Sequence, residues 1–378
     1  MNLKRDYSQR IWANHDWDHK YCPEPIRFPP DIQKEKDIFF DKENALNTYF
    51  MTRMVCRSGK LRNRKKYTIL SPIPARGDRH TDMDFGDCSD ESALECIRKA
   101  DNRDINVLWS GGIDSTAVFW ALQKTGHPFN LHFDPIAETE HPFLWDLLHK
   151  NKFPQVTLCN NYGMGLMEEY AHDPDHYFVM GEPGDNIHGA GRSFIFTKEQ
   201  RNAPYYENVP KYIDEMMFQS VMEVLNKPDA NLKQWHWAMS YTCKYQYCML
   251  RSIRNFHLYC YDRPGIPANL YLFYDTPNFN RWSITNQTEN SAWQEHREYK
   301  MPAKDYCLAN GDSQDYRDNK LKVPSSNRER LTMFTKPCSG MVADEDWMLV
   351  IKRTFGSSAP EIQYGGRTLN NGEVSRLP

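Results

Sequence analysis

The sequence predicts an α/β fold: a parallel sheet with helices on both faces, a helical C-terminal part behind it and a small irregular N-terminal region in front. Three observations predict it. Val107–Trp109 reads as a short buried strand that passes through Gly111 and Gly112 into an amphipathic helix, Thr116–Thr125, closed by Gly126. Strand and helix patterns then alternate as far as Met180, and strands joined through helices pair in parallel. Beyond Arg192 the pattern turns to long helical stretches rich in Trp, Tyr and Met.

In order along the chain, residues 1–100 are irregular, rich in Tyr, Trp, Pro and charge, with a helix expected over 37–54. They are read as an N-terminal accessory region. A basic run, Arg57 to Lys66, precedes an acidic stretch, Asp82 to Glu95. The run is expected to be a solvated face, with binding of RNA or another polyanion as the alternative. Asp101 opens the alternation, and 101–330 is expected to form one domain. Its later strands are expected at Phe129–Phe133, Gln155–Cys159 and Tyr177–Met180, with helices at Pro142–Lys150 and Gly165–His172 between them. Helices follow over Tyr212–Leu225 and Leu232–Phe256, the second carrying Arg251 and Arg254 as candidates to face a site. Residues 331–378 form a C-terminal extension with one expected strand, Trp347–Ile351, and nothing that reads as chemistry.

Composition bounds the reading. Of 378 residues, 26% are charged and 40% hydrophobic, as in a globular protein. No run approaches the roughly 18 apolar residues of a membrane span, and the N-terminus has no apolar signal core, so a cytoplasmic protein with no membrane contact is expected. The ten cysteines are scattered without a Cys-x-x-Cys pair, which favours reduced, buried thiols over disulfides or zinc. A net charge of −3 gives no general attraction to nucleic acid.

The chemistry starts at Ser110-Gly111-Gly112-Ile113-Asp114-Ser115-Thr116. Glycines let backbone N–H groups approach a phosphate, the following helix aims its positive end at the same point, and Ser110, Ser115 and Thr116 add hydroxyl donors. Asp114 is out of place beside phosphates unless a cation such as Mg²⁺ lies between. The loop therefore suggests a magnesium–nucleotide site. It lacks the Gly-Lys-Ser/Thr ending of the P-loop and the third glycine of the dinucleotide fingerprint. It resembles instead the PP-loop of the ATP pyrophosphatases, which cleave ATP between the α- and β-phosphates.

A second motif ends the Tyr177 strand: Gly181-Glu182-Pro183-Gly184-Asp185-Asn186-Ile187-His188-Gly189. Two acids three residues apart in a glycine-containing loop suit metal binding or proton transfer. Together with the first loop it resembles the synthetase domain of asparagine synthetases, in which the corresponding loop reads Gly-Glu/Asp-x-x-Asp-Glu-Ile/Leu-Phe-Gly. The resemblance implies that Asp114 and Asp185 hold Mg²⁺ on the pyrophosphate, that Glu182 acts on the acceptor as a general base, and that Gly181 lies against the nucleotide. Pro183, Asn186 and His188 depart from the pattern. Phe133 and Met180, at strand ends, are expected walls of an adenine pocket.

A looser match covers Leu270–Phe273 with Tyr274-Asp275-Thr276-Pro277, and a further one Tyr299 to Tyr306 and Tyr316 to Pro324. The resemblance places a phosphate-binding, catalytic lysine here, Lys320 first and Lys322 second. Near the α-phosphate a cation is needed as pyrophosphate leaves. The expected function is an ATP- and Mg²⁺-dependent ligase that adenylates a carboxylate and transfers the acyl group to an amine, to ammonia, or to ammonia from a separate protein. The resemblance stops short of residues 1–100, so no glutamine hydrolysis is expected. Two alternatives remain, a PP-loop enzyme that modifies a nucleobase or tRNA, and a nucleotide-binding protein without catalysis.

Overall fold

The computed structural model describes residues 56–60, 69–134, 137–159, 173, 175–189, 196–209, 211–257, 268–289 and 298–320, and two paired strands, Gln363–Tyr364 and Arg367–Thr368. The expected helices at 37–54 and 165–172, the strand at 347–351, Lys322 and the side chains of Arg251 and Arg254 lie outside the described residues.

Five strands form one fully parallel sheet: β1 (Asp104–Trp109), β2 (Phe129–Phe133), β3 (Val156–Cys159), β4 (His176–Met180) and β5 (Leu270–Leu272). Their spatial order is β3-β2-β1-β4-β5. The chain therefore builds outward from β1 twice, first through β2 to β3, then through β4 to β5. β1 is the centre, and all its residues but Asp104 are buried; it starts three residues before the expected Val107–Trp109, because Asn106 interrupts the apolar run. Asn106 is the exception in chemistry, and its amide is satisfied across strands: its Oδ1 pairs with His132 Nε2 at 2.9 Å, and its Nδ2 donates to the Asp104 carbonyl at 2.6 Å.

Three helices build the layer that positions the site. Helix α1 (Phe85–Ala100) starts at a capping box between Asp84 and Asp87 and buries Phe85, Cys88, Ser92, Cys96 and Ala100, one stripe at helical spacing. The acidic stretch is this helix, with its acids at the cap, at the positive end and on the outer face. Helix α2 (Ile113–Thr125) runs from the first glycine loop, buries Ala117 to Leu122 without a break and ends at Gly126 in the left-handed conformation, φ 72°. A helix Met301–Ala309 packs against both.

The remaining helices include Lys211–Leu225, Leu232–Met239 and Tyr245–His257, the last two joined by a π-helical turn, Ser240–Lys244. Arg57 explains that turn. Its N–H donates to the Thr242 carbonyl at 2.8 Å and its Nε to the Tyr241 carbonyl at 2.9 Å, carbonyls that the widened turn leaves over. Its guanidinium lies over Tyr241 and Tyr245, 4.0 and 3.7 Å from the ring centroids. The basic run therefore begins buried at Arg57 and is exposed by Lys60, which pairs with Glu223 at the surface; its other basic members lie outside the described residues.

Seven cysteines are described, none in a disulfide and six of them buried; burial pushes the Cys88 thiol up to about 12. That agrees with reduced, inert thiols. No helix among the described residues is long and apolar enough to cross a membrane.

Candidate functional site

The strand order makes a crevice. Connections leave the neighbouring strands β1 and β4 toward opposite edges of the sheet, so the loops beyond their carboxyl ends part and open a cleft. The sequence had put its two motifs there. The first loop is held by its own serines: the Ser110 N–H donates to Ser115 Oγ at 3.2 Å, and Ser115 Oγ donates to the Gly112 carbonyl at 3.0 Å. Gly111 has φ 74°, and a Cβ there would lie 2.9 Å from Ala137 Cα, so the turn needs glycine. Gly112 caps α2 without a side-chain bond, leaving the first N–H groups of the helix aimed into the cleft.

The second loop lies directly on that helix end. A Cβ on Gly181 would sit 3.0 Å from the Ser115 nitrogen, and one on Gly184 would sit 2.6 Å from Asp114 Cγ. Tyr274, just past β5, donates its hydroxyl to the Asp114 carbonyl at 2.9 Å. Asp114 and Asp185 stand in the first turns of their helices, α2 and the short Gly184–Ile187. Helix α2 begins three residues earlier than the sequence pattern suggests, which takes Asp114 out of the loop.

The residue that joins them is Lys300. It opens the helix Met301–Ala309 in the left-handed conformation, φ 59°, and its ammonium bridges Asp114 Oδ2, at 2.5 Å, and Asp185 Oδ1. Tyr299 beside it donates to the Asp185 carbonyl at 3.4 Å. Burial opposes the charge on Lys300, but the Asp114 and Asp185 carboxylates outweigh it and hold the amine well above its ordinary range. Asp114 is pulled both ways: burial raises it, Lys300 lowers it, Asp185 and Glu182 raise it, and the net is about 6. Its Oδ1 is buried with no hydrogen-bond partner. No family model, curated protein or solved structure matches this chain.

An orphaned buried carboxylate oxygen fits a metal ion, since only a cation or a donor can satisfy it. Among the described residues, no three histidine, cysteine or acidic side chains gather to hold a metal unaided. Asp114 and Asp185 would hold one if oxygens of a bound phosphate completed its shell, the usual arrangement for Mg²⁺. Glu182 stands on the same loop, half-buried, near enough for its charge to act on Asp114.

The other expected residues divide. Ser115 and Gly181 meet at the junction of the two loops, and Ser110 is tied to Ser115 within the first. Thr116 does not: its hydroxyl is fully buried and receives Trp109 Nε1 at 3.0 Å and the Tyr316 hydroxyl at 3.2 Å, so it supports the loop from beneath. Met180 ends β4 half-buried; Phe133 ends β2, its ring edge-on to Trp145 at 4.8 Å. Lys320 reaches the glycine loop from the far end of the chain, its ammonium 3.0 Å from Glu140 Oε2. Glu140 itself stands where a Cβ on Gly111 would strike it, at 2.8 Å.

Sequence reasoning missed Lys300, Glu140 and the props behind the loop. Tyr316 donates to the Gly111 carbonyl at 2.9 Å and stacks on His141, ring centroids 3.5 Å apart. His141 in turn donates Nε2–H to Asp312 at 2.9 Å, while its Nδ1 accepts the Leu144 N–H. That pair is buried, and Asp312 also receives Trp120 Nε1. Lys300 did lie inside a quoted match, but the matched pattern weighted the lysines further on.

The departures in the second loop have structural reasons. His188 is buried among aromatic rings, 5.0 Å from Phe85 and 5.4 Å from Trp282, so it fills an aromatic position. Burial first, and then Lys300, hold it well below its ordinary range, and its Nε2 has no partner. A histidine kept neutral when folded loses stability as pH falls below its unfolded value of about 6.5, because the unfolded chain takes up the proton first. His188→Phe is expected to remove that sensitivity. The drop in melting temperature between pH 7.5 and 5.5 should shrink by at least about 2 °C relative to the wild type; equal drops would show that the ring is not held neutral. Asn186 is likewise buried, its Oδ1 accepting the Ser240 hydroxyl at 2.9 Å, so an acid there would have to be buried.

Proposed function

We propose that this chain is an AMP-forming ligase of the asparagine synthetase-like kind: it binds ATP in the cleft beyond β1 and β4, adenylates a carboxylate, and passes the acyl group to ammonia or an amine. One observation carries the reading. The two loops that resemble the PP-loop and its partner motif, far apart in the sequence, meet at the switch point of a parallel sheet, with Asp114 and Asp185 converging on a single cation.

The phosphates would lie against the backbone of Ser110, Gly111 and Gly112 and the hydroxyl of Ser115, at the positive end of α2. Bound Mg²⁺, held by Asp114 and Asp185, would supply charge neutralisation to the departing pyrophosphate. Lys300 and Lys320 place further positive charge on two sides of the loop. In the first step the substrate carboxylate attacks the α-phosphorus and the bond to the bridging oxygen breaks, giving acyl-AMP and pyrophosphate. In the second, the amine attacks the acyl carbon, Glu182 takes its proton, and AMP leaves with the electron pair of the acyl carbon–oxygen bond of the mixed anhydride. Phe133 and Met180 would flank the adenine.

The alternative of an RNA or nucleobase substrate rests on the basic run, of which only two basic members are described, Arg57 against two tyrosines and the exposed Lys60 paired with Glu223. The amide-ligase reading needs no such surface. The test is to incubate the protein with ATP, Mg²⁺ and a mixture of cellular carboxylates and amines and follow phosphorus products by mass spectrometry. AMP with pyrophosphate is expected, together with loss of one carboxylate; ADP with phosphate would overturn the reading.

A further inference from the structure

Lys300 fills the place a metal would need. Its ammonium is in contact with a carboxylate oxygen of each of the two residues proposed to hold Mg²⁺, and its side chain is 8% exposed. A divalent ion cannot sit between Asp114 Oδ2 and Asp185 Oδ1 while the ammonium is there, and an ion on the unpartnered Asp114 Oδ1 would share one carboxylate with the ammonium and be repelled by it at that range. Nor is Lys300 free to withdraw alone. Tyr299 ties its backbone to the second loop, and on its own helix stands Lys304, buried near other cations: burial lowers its amine, and Lys320, Arg317 and Lys300 lower it further against the opposing charge of Asp318. An expelled ammonium would move toward other cations unless an anion arrived with the metal.

We propose that Lys300 is the internal counter-ion of the site, which makes metal binding conditional on a polyphosphate: a divalent cation alone is kept out, and a metal–polyphosphate complex enters by giving the displaced ammonium a phosphate oxygen in exchange for its carboxylates. The charges balance on this exchange. The +1 ammonium leaves Asp114 and Asp185, the +2 metal takes its place, and the ammonium pairs with the anion that came with the metal. Lys304 stands close enough to Lys300 and to Lys320 for their charges to interact, and Lys304 and Lys320 would add to the attraction for that anion. The inference rests on the nucleotide reading for the identity of the anion, and on the Lys300 bridge for the exchange itself.

The test is Mn²⁺ binding to the intact protein, followed by electron paramagnetic resonance, with and without the non-cleavable analogue α,β-methylene-ATP. Wild-type protein should bind Mn²⁺ weakly alone and at least about tenfold more tightly with the analogue, a coupling in the ordinary range between two sites. Lys300→Met should bind Mn²⁺ alone at least about tenfold more tightly than wild type, and Asp185→Asn in that background should abolish the gain. Lys300→Gln, which keeps a donor for the carboxylates, answers the same question should Lys300→Met fail to fold. Equal Mn²⁺ affinity of wild type and both Lys300 variants without nucleotide would overturn the counter-ion proposal, whatever the analogue does. Failure of the analogue to bind any of the proteins would sink the nucleotide reading, while the metal-alone comparison still decides the role of Lys300.

Discussion

Asp114→Asn is expected to abolish adenylation, lowering AMP release by at least about 10³-fold, with the fold retained. The substitution keeps the shape of the side chain in its contact with Gly184 and removes the charge that a cation on the pyrophosphate needs. Lys300 keeps Asp185 as a partner, so no buried charge is stranded. The wild-type pH profile carries the same prediction. With its carboxyl pushed up to about 6, by burial first and against the pull of Lys300, Asp114 is mostly ionised at pH 7.5 and mostly protonated at pH 5. Pyrophosphate release at subsaturating Mg²⁺ should therefore fall as pH drops through about 6, because the proton and the metal compete for this carboxylate. For stability the sign is opposite. Because the folded value lies above the unfolded one, this group favours the folded state most below pH 4 and gives that contribution up as pH rises toward 6. A release rate at subsaturating Mg²⁺ that holds steady from pH 7.5 to pH 5, or an Asp114→Asn protein with full turnover, would remove Asp114 from the mechanism.

Gly184→Ala is the second large effect expected, and it touches no charge. The added Cβ would lie 2.6 Å from Asp114 Cγ and 2.8 Å from its Oδ1, closer than atoms tolerate, while the backbone there has no unusual φ. The methyl must push the carboxylate or its own loop aside. Turnover should fall about 100-fold, the cost of displacing a reacting group by around an ångström, and stability by about 1–3 kcal/mol. Gly77→Ala is the control, because nothing lies within 4 Å of a Cβ at that position. Comparable losses in both proteins would mean that the contact between the second loop and α2 does not set the geometry of the site.

The sheet was legible because its strands are short apolar runs bounded by turns. β2 matches the sequence pattern residue for residue, and β3 and β4 differ from it by one residue each. The two loops were legible because glycine pairs beside acids have few uses in a core. Helix α1 was harder to see: serines share its buried stripe and its charges crowd the cap, so the charge count hid the helical rhythm. The long helix after Leu232 read as unbroken because the π turn is caused by Arg57, a residue far away in the chain. Lys300 was invisible for the same reason, its carboxylate partner lying 186 residues upstream. Spacing patterns report what neighbours in sequence do together, and a lysine chosen by a carboxylate on a distant helix leaves no mark in them.

That long reach also fixes the order in which the machinery can come into being. As the chain emerges from the ribosome, β1 and β2 can pair early, being close in sequence and in space. Asp114 and the glycine loop then wait for β4, next for Tyr274, and last for Lys300, Tyr316 and Lys320. A nascent protein in which residue 300 has not yet emerged has a sheet and a cleft, but its two acidic side chains face each other without the ammonium between them.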